Sequence, residues 1–380
     1  MPGWIAEKFR TRRVRYAATT IVVAILALLA VFVRGAVMNR MYTSYSIEKS
    51  VDKTDSVSRF EYVGGYVIRY SKDGASLMNQ SLETVWTTTF SMEDPRAQVT
   101  GGQILLYDRL GTDFHIFNKK EKVSSFSTDR PILKACISER DTVAALLRDG
   151  DGVSLVYYTK DGSMIAGGES TMQNPGYPVS LSLSSNGMLL AVSYLTAADG
   201  TVGSAVRFYN FGSGGKGKAD NMTAEFRYPG IFAPEVQYLD GSECAIFRDD
   251  GFTIVKGADK PEEQTSVTFG DDICSVFHDG SNLGFINRSG NRDHKYVMNI
   301  YSASGNLMSS VYVDVSYERV RVCGSEVILS SHSEFSVFST KGKMRFHGRL
   351  KEGNIADALR IGRDRILVLT DQKMEVIKLQ

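Results

Sequence analysis

Residues 356–379 hold three strand-like segments, Ala356-Asp357-Ala358-Leu359-Arg360-Ile361, Ile366-Leu367-Val368-Leu369-Thr370 and Met374-Glu375-Val376-Ile377-Lys378-Leu379. Upstream, the same kind of unit recurs with a fourth strand. An apolar strand is followed by a turn carrying Gly or Asp-Gly, a β-branched or aromatic strand, another turn and a more polar strand. Aligned units start near Val57, Arg96, Ile132, Val179, Phe232, Ile273, Tyr317 and Ile355, at spacings of 36 to 53 residues. A four-stranded unit of ~40–50 residues has the period of a propeller blade, which buries its faces only against its neighbours. The short last unit can take its missing strand from Tyr42–Ser50, which would tie one terminus to the other and remove a sheet edge. The expected fold is therefore all-β, a propeller of eight four-stranded blades, with seven as the alternative if one weak unit is a decoration.

Turn and strand chemistry agree with that period. Asp73-Gly74, Asp161-Gly162, Asn186-Gly187, Asp199-Gly200, Asp240-Gly241, Asp250-Gly251 and Asp279-Gly280 suit hairpin turns that need positive φ. Runs such as residues 103–107, 142–147, 188–193, 327–330 and 365–369 are nearly all apolar, as strands covered on both faces should be. Residues 212–217 form a Gly-rich stretch between two strands and read as a flexible loop.

Ahead of the repeat, Tyr16–Val33 is an uncharged, mostly apolar run, long enough at ~27 Å to span a hydrocarbon core as a helix. It is longer than a signal-peptide core and lacks a small-x-small site, so it reads as an uncleaved anchor. The expected layout is a basic cytoplasmic tail over 1–15, a transmembrane helix over 16–38 and a propeller ectodomain over 39–380. Lys8, Arg10, Arg12, Arg13 and Arg15 precede the run against Glu7 alone, which keeps the N-terminus cytoplasmic and places the propeller outside. Residues 1–40 carry seven basic and one acidic side chain, and the remainder 37 and 42. Such a mildly acidic domain lacks the basic stripe that nucleic acid requires.

No motif for chemistry emerges. Cys136, Cys244, Cys274 and Cys323 stand at least 30 residues apart without a Cys-x-x-Cys, which suits free, buried thiols, Cys244–Cys274 being the pair to expect otherwise. His115, His278, His294, His332 and His347 lack metal-ligand spacing. Asp249-Asp250 and Asp271-Asp272 fall in turns. Neither a metal nor a cofactor is expected. Loops carry what distinguishes one propeller from another. One face should gather the stretches 173–178, 227–232 and 287–294, offering Tyr177, Tyr228, Phe232, Arg288, Arg292 and His294 as an interaction surface. The competing role for Tyr177, Tyr228 and Phe232 is to cap blade interfaces.

An anchor followed by these units resembles bacterial single-pass membrane proteins whose ectodomain is a propeller of unknown function. More loosely it resembles the WD-repeat and quinoprotein-like propellers, although no Trp-Asp dipeptide occurs. Thr84–Phe90, around Trp86, is similar to one copy of a quinoprotein docking strand but does not recur. The layout is also similar to the eight-bladed periplasmic scaffold of outer-membrane assembly. These resemblances imply a non-catalytic scaffold or sensor that binds a protein or an envelope polymer. An enzyme acting on cell-surface glycans is the alternative, and it would need two carboxylates facing each other across a pocket.

Overall fold

The computed structural model describes residues 19–20, 22–27, 40–52, 58–170, 176–198, 200–239 and 241–380. The basic tail 1–15, Val57, Gln173, Asn174, Pro175, Asp199 and Asp240 lie outside that set. Of the 16–38 run, residues 19–20 and 22–27 are helical and exposed, and the rest lies outside it. Among the described residues no helix is long and apolar enough to cross a membrane.

The described residues form eight antiparallel four-stranded sheets. Strand β1 (Tyr45–Asp52) precedes blade 1, which comprises β2 (Arg59–Val63), β3 (Tyr66–Ser71), β4 (Gly74–Met78) and β5 (Thr84–Thr89). Blade 2 holds β6 (Pro95–Thr100), β7 (Gln103–Asp108), β8 (Asp113–Phe117) and β9 (Lys122–Ser127). Blade 3 holds β10 (Ile132–Ile137), β11 (Val143–Asp149), β12 (Gly152–Tyr158) and β13 (Met164–Ser170). Blade 4 holds β14 (Tyr177–Leu183), β15 (Leu189–Ala198), β16 (Thr201–Asn210) and β17 (Met222–Pro229). Blade 5 holds β18 (Glu235–Tyr238), β19 (Glu243–Arg248), β20 (Gly251–Lys256) and β21 (Glu262–Thr268). Blade 6 holds β22 (Ile273–His278), β23 (Asn282–Arg288), β24 (Tyr296–Ser302) and β25 (Leu307–Val313). Blade 7 holds β26 (Arg319–Cys323), β27 (Glu326–Ser330), β28 (Glu334–Ser339) and β29 (Met344–Arg349). Blade 8 holds β30 (Ile355–Arg360), β31 (Arg365–Thr370) and β32 (Lys373–Leu379), and β1 completes it on the outside.

The ring closes as the short last unit implied. β1 pairs antiparallel with β32 from Tyr45↔Leu379 to Asp52↔Lys373, starting three residues and ending two residues further along than expected, with a bulge between Ile47 and Lys49. The chain is fastened just before this strand. Tyr42 N–H donates to Arg345 O at 2.7 Å, and the Arg345 guanidinium lies 5.1 Å over the Tyr42 ring. Arg345 and Arg360 both pair with the buried carboxylate of Glu326.

Packing repeats with the blades. Each of the eight blade interfaces has its own apolar cluster, for example Val63, Ile68, Leu77, Ile104 and Phe117 between blades 1 and 2. At the closure, Leu359, Leu367 and Met374 of blade 8 meet Phe60, Val67 and Met78 of blade 1. The continuous apolar runs are the second strands, covered by a blade on either side. The first strands are innermost, and they pack on one another around a central channel. Turns obey the same geometry: Gly342 holds φ 81° between third and fourth strands, where a Cβ would come within 2.4 Å of Val311 of the previous blade. The Gly212–Gly217 stretch is more ordered than its composition suggested. It carries one 3-10 turn, with a second just after it, and a Cβ at Gly214 would collide with Asp259, to which Asn210 donates at 3.1 Å.

Candidate functional site

Antiparallel blades sort their connections onto two faces. Turns between second and third strands, and links between blades, emerge on what we term the upper face. The remaining turns emerge on the lower face.

Blade 4 breaks the pattern on the upper face. Its β15–β16 hairpin has strands of ten residues, and the pairing continues to Ala198↔Thr201. The equivalent strands elsewhere have five to seven residues, so the hairpin stands ~10 Å proud at the usual strand rise. Three exposed apolar side chains lie on or beside it, Val202 near its tip. Tyr177, 37% exposed, begins β14 opposite Leu195. Val202, 49% exposed, lies in β16, and its carbonyl accepts from Gly230 N–H at 3.2 Å. Phe232, 43% exposed, is held by its backbone: its N–H donates to Asp249 Oδ1 at 3.2 Å, and its carbonyl accepts from Asp249 N–H at 2.8 Å. Rigid backbone thus presents large apolar surface to solvent, as binding hot spots require.

Tyr228 does not belong to that surface. It is 8% exposed, packs in the cluster between blades 4 and 5, and lies under the Arg248 guanidinium at 5.6 Å. It caps a blade interface. Its strand shows why: Ala224, Phe226 and Tyr228 share one face by period two, and exposed Arg227 points the other way. The structure places Arg288, Arg292 and His294 on the same upper face, in and beside the β23–β24 turn of blade 6. His294 Nδ1 lies 2.8 Å from Asp314, and its ring stacks on Tyr312 at 4.0 Å. Arg288 approaches Asp272 at 3.7 Å with both side chains exposed. Val202 went unpredicted, although an over-long run between Leu189 and Asn210 was a visible signal.

The channel also went unpredicted. Arg321 of blade 7 donates to Asp357 of blade 8 through Nε at 3.3 Å and Nη2 at 2.7 Å, and to Glu61 of blade 1 through Nη1 at 2.8 Å. One guanidinium thereby ties three blades across the closure. It also engages the two carboxylates that face the cavity here. Buried Tyr70 nearby has its hydroxyl pushed up to about 12, first by desolvation and then by the Glu61 charge, so it stays a donor. Across the channel, Lys134 Nζ lies 3.3 Å from Ser180 Oγ, and Glu235 lies 3.1 Å from His278. Polar residues at alternate positions of each unit's first strand carried this signal.

Cysteines are free in all four cases; Cys136, Cys244 and Cys323 are buried, but Cys274 is exposed at a bulge in β22 and forms no bridge to Cys244. Desolvation pushes the Cys136 thiol up to about 12, the condition of an inert core residue. Trp86 stacks on Phe117 of the next blade at 4.9 Å and donates to Asn118 O at 3.2 Å, a docking role within the fold. Among the described residues no group of three His, Cys, Asp or Glu is placed to hold a metal ion.

Solved structures share the architecture. BamB from Moraxella catarrhalis superposes with a TM-score of 0.52 at 11% identity, covering 88% of this chain and all of its own. Sqt1 from Saccharomyces cerevisiae gives 0.55 at 12% identity over 90% of this chain and 99% of its own. Chaetomium thermophilum Sqt1, solved bound to the N-terminus of ribosomal protein L10, also gives 0.55 at 12% identity, over 90% of this chain and 100% of its own. Such identities establish the fold alone. No curated protein matches the sequence. One family model matches residues 38–379, nearly the whole described propeller, and on that match the chain belongs to a family of unknown function, DUF5711.

Proposed function

We propose that this protein is a membrane-tethered, extracytoplasmic and non-catalytic platform that holds a protein partner on the upper face of its propeller. The carrying observation is the exposed group Tyr177, Val202 and Phe232 on rigid backbone around the raised hairpin of blade 4. Large apolar side chains held out to water by a fixed backbone are favourable where a partner covers them. Arg288, Arg292 and His294 supply a polar flank two blades away. A propeller of the same fold holds a protein segment in the Sqt1 complex with the L10 N-terminus. The residues 16–38 act as the tether, with the basic segment before them in the cytoplasm.

The opposing reading, hydrolysis of glycans, is less well supported by the channel. Glu61 and Asp357 face one cavity, but both bind Arg321, and a carboxylate engaged by a guanidinium is poorly placed to deliver a proton. The test uses the full chain in detergent as bait for cross-linked partners. Replacing Tyr177 and Phe232 together with Ala should reduce capture about tenfold or more, as loss of two hot-spot residues does, while the melting temperature holds. Unchanged capture would overturn the reading. So would turnover of cell-surface glycans that Glu61→Gln or Asp357→Asn abolishes.

A further inference from the structure

The upper mouth of the channel holds more guanidinium than carboxylate. A cavity of about 330 Å³ opens between the first strands of blades 7, 8, 1 and 2, lined by Arg59, Arg96, Arg319 and Arg321 with Glu61 and Asp357 as its acids. Among the described residues both acids form ion pairs with Arg321 alone, and Asp357 also accepts from Ala358 N–H at 2.9 Å. Behind the wall, Asp94 serves three arginines at once, Arg109 at 2.6 Å, Arg96 at 3.0 Å and Arg59 at 3.2 Å. Burial works to raise the Asp94 pKa, but the hydrogen bonds from Arg109 and Arg96 outweigh it and hold the carboxyl below its ordinary value. One negative charge cannot neutralise three positive ones. Among the described residues two of these groups hold donors without an acceptor. Arg96 Nε is buried and unpartnered, and Arg319, exposed at the start of β26, makes no ion pair among the described residues.

We propose that this mouth is an oxyanion-binding site, taking a carboxylate or phosphate group that docks against Arg319 and Arg96. Planar guanidiniums converging on one cavity match the paired oxygens of such groups, and charge-assisted hydrogen bonds to them are the strong kind. Low-dielectric walls concentrate the positive potential within the channel. Because the first strands begin on the upper face, the cavity opens on the side that carries Tyr177 and Phe232, half a ring away. The ligand class is thereby an anion, free or borne on a chain. The inference does not rest on the platform reading, since small probes measure it with no partner present.

The experiment is calorimetric titration of the full chain in detergent at low ionic strength, with inorganic phosphate in one arm and tetraglutamate in the other. Saturable binding is expected in at least one arm, and the arm that binds identifies phosphate or carboxylate as the group recognised. Arg319→Gln should weaken it about tenfold, the loss of one charge-assisted hydrogen bond, and raised salt should weaken it further. Arg319 has no side-chain partner to lose among the described residues, so the variant should melt as the parent does. Arg148→Gln, exposed at the β11–β12 turn on the same face, should leave binding unchanged. No saturable binding in either arm, or binding that Arg319→Gln leaves intact, would overturn the proposal.

Discussion

Glu326 is buried with two guanidiniums on its carboxylate, Arg345 and Arg360, and burial lowers the pKa of both arginines. Arg345 also donates to the Tyr42 hydroxyl at 3.0 Å and to Arg40 O at 3.3 Å, so the group decides how the chain arrives at the last blade. Removing one partner of a buried ion cluster strands the others without compensation, at ~3–5 kcal/mol. Glu326→Gln should therefore lower the urea midpoint substantially, an effect that an exposed pair such as Lys260–Glu262 should not reproduce when Glu262→Gln is measured beside it. At this scale the sequence was only partly readable. Tyr177 and Phe232 emerged on the surface as expected, whereas Tyr228 went inside because period two had already assigned it to the face of Phe226. The arginine constellation could not be read at all by proximity in sequence, since Arg321 and Glu61 are 260 residues apart.

Strands were far more legible than sites. The eight first strands begin within three residues of the starts read from the repeat, because one alternation of apolar and turn residues is written into every unit. The assignment of layers was less direct. Second strands look like a core in sequence, yet the first strands are innermost, and one of their faces is polar because it lines the channel. Closure by an N-terminal strand held as well, Tyr45–Asp52 starting three residues and ending two residues beyond the expected Tyr42–Ser50. Deleting residues 41–51 should lower the melting temperature of the full chain clearly, since it removes six of the seven residues paired with β32, the Tyr42 clasp and the cover on β32. An unchanged melting curve would show that the pairing contributes no stability.

For the molecule as a whole, the path into β1 sets an orientation. β1 runs antiparallel to β32 and starts beside Leu379, on the lower face. Arg40 and Tyr42 are already fixed to Arg345, so only ~7 Å of chain separates residue 38 from the propeller. On the proposed reading of residues 16–38 as tether, the lower face would lie against the bilayer, and the hairpin and arginine mouth would look away from it. An epitope placed after Gln380 should then be cleaved by protease added to intact cells from which any outer barrier has been stripped; cleavage only after lysis would reverse the topology. The closing strand also governs timing. Gln380 bonds to Ser46 across 334 residues, so β1 is made first and its partner last. At ~5–20 residues per second, the nascent chain waits on the order of 20–60 s with β1 unpaired and the flanks of blades 1 and 7 bare. Each earlier blade can form from local contacts as it emerges, but the final seven pairs join the most distant parts of the chain, the kind of contact that makes folding slow. Until then the protein is an open spiral with two sticky ends, and Glu48, Lys49 and Asp52 are the charges that keep its first strand from pairing with a neighbour's.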